Sequence, residues 1–161
     1  MATVGNTTTP TSLIGSGSGS LTLPANFFTA GKTIRLRVRG YYSATTVGGA
    51  TMKWQVKLGS TVVLDTGAVT PAAIFSNLYW DLDAEIVCYT TGAGGTIFGQ
   101  GRVLRQEMTG AVLVISPMTN TATTSLDTTA SQLVDLVFTW SAASSSDTIT
   151  STNVSLEVLN G

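Results

Sequence analysis

The chain has 161 residues, 43% of them hydrophobic and only 11% charged, with a net charge of −1. That length suits one domain, and so small a net charge leaves no positive field to hold nucleic acid or an anionic membrane surface as a partner. The charged share is under half the usual value of about 25%, as expected of a surface partly covered by other subunits, so a homo-oligomer is expected.

In chain order, the first residues, Met1-Ala2-Thr3-Val4-Gly5-Asn6-Thr7, lack the basic start and apolar stretch of a signal peptide. No apolar run approaches the ~20 residues of a membrane span, so a soluble protein that is not exported by a cleaved signal is expected. Residues 1–20 are mostly Thr, Ser and Gly, including Gly15-Ser16-Gly17-Ser18-Gly19-Ser20, a flexible composition that cannot form a core of its own. They are expected to form an arm, residues 1–20, held by a neighbouring subunit, with residues 21–161 as the folded domain.

From Ser20 onward apolar and polar residues alternate over short segments rich in Val, Ile, Thr, Tyr and Trp, the period of half-buried strands. In Ile34-Arg35-Leu36-Arg37-Val38-Arg39, three apolar residues face one side and three arginines the other. Met52 to Leu58 alternates likewise and, across a turn at Gly59-Ser60, forms a predicted hairpin with Val62-Val63-Leu64. Tyr79 to Tyr89 is the longest predicted strand, with Trp80, Leu82, Ala84, Ile86 and Cys88 on one face and Asp81, Asp83 and Glu85 on the other. A turn at Gly92 to Gly95 leads into Ile97 to Arg105, where Gly99 and Gly101 predict bulges or close backbone contact. Ala111 to Ile115, Ser125 to Thr129, Leu133 to Trp140 and Ser151 to Leu159 complete about nine or ten predicted strands. Two packed antiparallel sheets are expected, an all-β sandwich of jelly-roll type with a flexible N-terminal arm.

The chemistry the residues permit is limited. No histidine is present, which removes the commonest general base, the Ser-His and Cys-His nucleophile pairs and the most frequent zinc ligand, so no enzyme is expected. Asp65-Thr66-Gly67 spells the aspartic-protease tripeptide, but Asp at a strand end followed by Gly reads first as a turn. Asp81, Asp83 and Glu85 could in principle bind a hard cation; their spacing of roughly 7 Å along a strand is wide for one ion and better matched to a ladder of partners. Arg35, Arg37 and Arg39 share that spacing, so the two triplets complement each other between neighbouring strands or between subunits, and a simple solvated face remains an equal alternative. Trp54, Trp80 and Trp140 fall on apolar phases and belong to the core. Tyr41, Tyr42 and Tyr79 lie near strand ends and are the best candidates for a glycan or subunit contact. The lone Cys88 excludes an intrachain disulfide, fits either a reducing cytoplasm or a protein that does not depend on bridges, and reads as a small buried residue. Asn6-Thr7-Thr8 and Asn153-Val154-Ser155 match the glycosylation sequon by chance in so Thr- and Ser-rich a chain. No cofactor motif is present.

Pro24-Ala25-Asn26, Ala30 to Gly40, Leu78 to Ile86, Thr96 to Gly101, Asp135 to Ser144 and Val154 to Val158, in that order, resemble a group of tailed-bacteriophage virion proteins. The resemblance covers nearly everything after residue 20 and contains no catalytic motif. It implies a jelly-roll subunit, commonly trimeric, displayed on the particle as a capsid decoration (cement) protein, with a fibre or tail receptor-binding domain as the alternative. Its implied partners are further copies of itself and the major capsid protein, and its implied location is the capsid surface after assembly in the host cytoplasm. On that reading Leu13 and Ile14 are the arm's contacts with neighbours, and Arg35, Arg37, Arg39, Asp81, Asp83, Glu85, Tyr41 and Tyr42 form the subunit or capsid interface.

Overall fold

The computed structural model describes residues 1–14, 21–44, 50–71, 74–108 and 112–160, with only the backbone described for Phe75 and Met108. Regular structure there is all β: β1 (Ala2–Gly5), β2 (Thr11–Ser12), β3 (Thr22–Leu23), β4 (Thr33–Ala44), β5 (Met52–Leu58), β6 (Thr61–Asp65), β7 (Phe75–Thr90), β8 (Gly95–Met108), β9 (Val112–Thr119), β10 (Thr124–Leu126), β11 (Gln132–Trp140) and β12 (Thr148–Asn160). Seven strands form one antiparallel sheet in the order β1-β12-β4-β7-β8-β10, with β9 also paired to β8; five form the other in the order β2-β11-β5-β6, with β3 also on β11. The two sheets pack as a β-sandwich.

Period-two alternation explains the core. Ile34, Leu36 and Val38 of β4 and Trp80, Leu82, Ala84, Ile86 and Cys88 of β7 all point inward and are buried. From the smaller sheet, Trp54, Val56, Phe138 and Trp140 meet them. Trp54 links the layers, with ring centroids 5.0 Å from Phe138 in its own sheet and 6.4 Å from Trp80 in the other. Each such side chain contributes about 1.5–3 kcal/mol through burial, so this cluster anchors the sandwich. The predicted hairpin is β5–β6, turning at Gly59 with φ 57°. Gly99 faces the second layer, where an added Cβ would lie 3.1 Å from side-chain atoms of Val63 and Leu64, and the close backbone contact expected here falls at Gly101, where a Cβ would lie 2.8 Å from the Asp83 carbonyl oxygen. β10 is shorter than predicted because Asp127 turns the chain, its Oδ1 accepting from the Thr129 N–H at 2.9 Å.

The N-terminal arm is corrected. Residues 2–5 are β1, antiparallel to residues 148–151 of β12, and Thr11–Ser12 are β2, paired with Val137 and Phe138 of β11. Leu13 and Ile14 do not reach out as arm contacts; both are buried in the subunit's own core. Leu13 donates its N–H to the Leu136 carbonyl at 2.7 Å, and its carbonyl accepts from Ser151 Oγ, so one residue ties both sheets together. The physical reason is that edge pairing uses backbone groups available to any residue, while Val4, Leu13 and Ile14 are enough apolar anchors to dock the segment. The Gly15–Ser20 run lies outside the described residues.

Candidate functional site

The outer face of the larger sheet concentrates charge. In register across β4 and β7, Arg35 faces Glu85, Arg37 faces Asp83 and Arg39 faces Asp81, while Glu157 of β12 stands opposite Arg35 and Arg102 of β8 opposite Asp83. Four arginines thus alternate in register with four carboxylates in a neutral chequerboard. Arg35 binds Asp83 diagonally and in bidentate fashion, Nε donating to Oδ1 at 2.7 Å and Nη2 to Oδ2. Glu85 lies 3.7 Å from Arg35, and Arg37 lies 3.8 Å from Asp83. The hydrogen bond from Arg35 holds the Asp83 carboxyl below its ordinary range, outweighing partial burial, which acts the other way. The predicted ladder therefore forms in part between neighbouring strands of one subunit: Arg35 and Arg37 pair with Asp83 and Glu85, while Arg39 and Asp81 face each other in register with no ion pair among the described residues.

One row further along this face the chequerboard gives way to aromatics. Tyr41 and Tyr79 stand directly opposite each other across β4 and β7, 38% and 39% exposed. They line a shallow depression of about 470 Å³ with Arg39, Asn77, Gln106 and Asn153. The Tyr79 hydroxyl donates to Asp81 Oδ2 at 2.8 Å. Partial burial, followed by that carboxylate, raises the Tyr79 phenol's pKa. Tyr42 is corrected: with the opposite parity it points into the core, and its hydroxyl donates to the Gln106 carbonyl at 2.7 Å, so it cannot form an interface. Burial pushes its phenol up in pKa.

One buried ionic pair escaped the sequence reading. Arg105 Nη2 lies 2.5 Å from Glu107 Oε1, with the two residues 3% and 5% exposed on the inward face of β8. Desolvation lowers the pKa of Arg105, and its Nε and Nη1 have no hydrogen-bond partner among the described residues. The signal was present in the alternation Val103, Arg105, Glu107, which puts both charges on the apolar parity.

The other candidates resolve structurally. Asp65 Oδ1 accepts the Gly67 N–H at 2.7 Å and Oδ2 the Gln55 amide at 2.7 Å, with Gly67 at φ 68°, so Asp65-Thr66-Gly67 is a turn. Asp81, Asp83 and Glu85 do not converge on an ion, and among the described residues no group of three His, Cys, Asp or Glu side chains could hold a metal. Cys88 is buried, its thiol donating to the Thr90 carbonyl at 3.3 Å, and burial pushes the thiol up in pKa. Gly92 to Gly95 close a turn through the Gly95 N–H to Gly92 carbonyl bond of 3.0 Å.

No protein-family model matches this chain, and neither a curated protein nor a solved structure similar to it was found.

Proposed function

We propose that this chain is a non-enzymatic structural subunit of a virus particle, a capsid decoration protein that forms trimers on the phage head and strengthens the shell. The observation that carries the reading is β9. Among the described residues it pairs only with β8, leaving its other edge open, and Val112, Leu113 and Ile115 are 47%, 55% and 57% exposed. No charged residue occurs between Glu107 and Asp127. Exposed edge strands of monomers are normally guarded by charge, because an open apolar edge is a template for pairing. An uncharged edge of this kind suits a surface that another subunit covers, at no cost in buried charge.

The jelly-roll topology belongs to the same proposal. It is supported by the chain's passage from one sheet to the other between β4 and β5, β6 and β7, β10 and β11, and β11 and β12. The docked arm adds nothing to it, since Leu13 and Ile14 serve the subunit's own core, so sheet edges and faces would make the contacts with further copies and with the major capsid protein.

Light scattering of the purified protein tests the association. A trimer is expected for the wild-type chain and a folded monomer for Ile115→Lys; a monomeric wild type would remove the proposal's foundation. Cryo-electron microscopy of particles then tests the location, with density at the tail tip alone turning the reading to a fibre or receptor-binding domain.

A further inference from the structure

The depression at Tyr41 and Tyr79 is built by irregular backbone on two sides. On one side the β4–β12 register slips between Ser151 and Asn153, a bulge that turns Thr152 and Asn153 out onto the sheet face beside Tyr41. The bulge depends on Gly40, where an added Cβ would stand 1.8 Å from the Thr150 carbonyl oxygen. On the other side Asn77 adopts φ 54°, a left-handed conformation that few non-glycine residues take, fixed by its N–H donating to Ser43 Oγ at 3.0 Å. Regular β4, β7 and β12 would have given a flat face here. Two departures from regularity instead raise amide side chains around a pair of exposed aromatic rings.

We propose that this depression binds a pyranose saccharide. A sugar ring presents a C–H face that lies against an aromatic ring and a rim of hydroxyls that bond to amides and guanidinium groups. Tyr41 and Tyr79 supply the platform, Asn77, Asn153 and Gln106 the amides, and Arg39 the cation. The ion pairs on this face among the described residues engage Arg35 and Arg37 and leave Arg39 out. The bond from Tyr79 to Asp81 fixes the ring before a ligand arrives, which lowers the ordering cost of binding.

The same features disfavour other ligands. An apolar small molecule needs a deeper enclosure than this open depression. Nucleic acid needs net positive charge, and here the carboxylates balance the arginines. A peptide adding as a strand needs a free edge, whereas β4 and β7 are paired on both sides. The inference does not depend on association through β9, which scattering reads separately.

The test is saturation-transfer NMR of the full chain with the methyl glycosides of glucose, galactose, N-acetylglucosamine and glucuronic acid. Transfer to ring protons of at least one is expected, with affinity reduced at least about tenfold in Tyr79→Ala and Tyr41→Ala and by a smaller factor in Tyr79→Phe, which keeps the ring and loses its bond to Asp81. Tyr89→Ala, which alters an exposed tyrosine at the other end of β7, should bind as wild type. Should Tyr79→Ala not fold, Asn153→Ala and Arg39→Ala, both at exposed positions, give the same reading. No transfer from any of the four glycosides overturns the assignment, and so does undiminished binding by the folded Tyr41 and Tyr79 variants.

Discussion

The indole N–H of Trp80 donates to the carbonyl oxygen of Thr150 at 3.2 Å, beneath the face that carries the tyrosine depression. Gly40 makes that approach possible, because a side chain there would occupy the position of the same oxygen. Gly40→Ala should push β12 away, break the indole bond and cost about 3 kcal/mol or more, read from the urea midpoint. A loss under about 1 kcal/mol would mean that β12 relaxes freely, and that the bulge is not held by this contact.

Docking of the N-terminal segment predicts a stability effect within the isolated subunit. Leu13→Ala should destabilise it by about 2–5 kcal/mol, as for other fully buried leucines. A free arm used only for contacts with neighbours would instead give an unchanged denaturation curve and weaker assembly.

For the buried pair, removing one partner is worse than removing both. Glu107→Gln leaves the Arg105 charge without its carboxylate and should cost about 3–5 kcal/mol, while the double change Arg105→Met with Glu107→Leu should be near neutral. Equilibrium denaturation of Arg105→Met, Glu107→Leu and the double variant gives the coupling directly. Additive losses would show that the two charges are solvated independently.

Asp83 sets a pH dependence. Its carboxyl titrates lower in the folded chain than in the unfolded one, mainly through the hydrogen bond from Arg35. The unfolded state therefore takes up the proton first as pH falls. The contribution is complete above the ordinary carboxylate range near 4 and is lost as pH drops through the depressed folded value. Urea midpoints followed from pH 6 downward should fall less steeply in Asp83→Asn than in the wild type. Parallel curves would show that the pairing contributes nothing to folding.

Much of the fold was legible because it follows from local rules. The alternation in Ile34 to Arg39 and in Tyr79 to Tyr89 assigned each residue its face, and the triplets' equal spacing anticipated the chequerboard. The same alternation, read three residues further, places Tyr42 inside and Tyr41 outside; proximity to a strand end was the weaker guide. The arm misled because composition reports what a segment can bury by itself, whereas β1 and β2 borrow the backbone edges of strands more than 120 residues away.

By itself, then, the sequence determined the β class, the single core and the two charged stripes, since side-chain parity and hydrophobic burial are written residue by residue. Only the tertiary structure decided which strands became neighbours. That choice brought Tyr41 beside Tyr79, pressed the Thr150 carbonyl against Gly40 and, among the described residues, left β9 with an open edge. Pairing of distant strands depends on the packing of the whole core, and no local window contains that information.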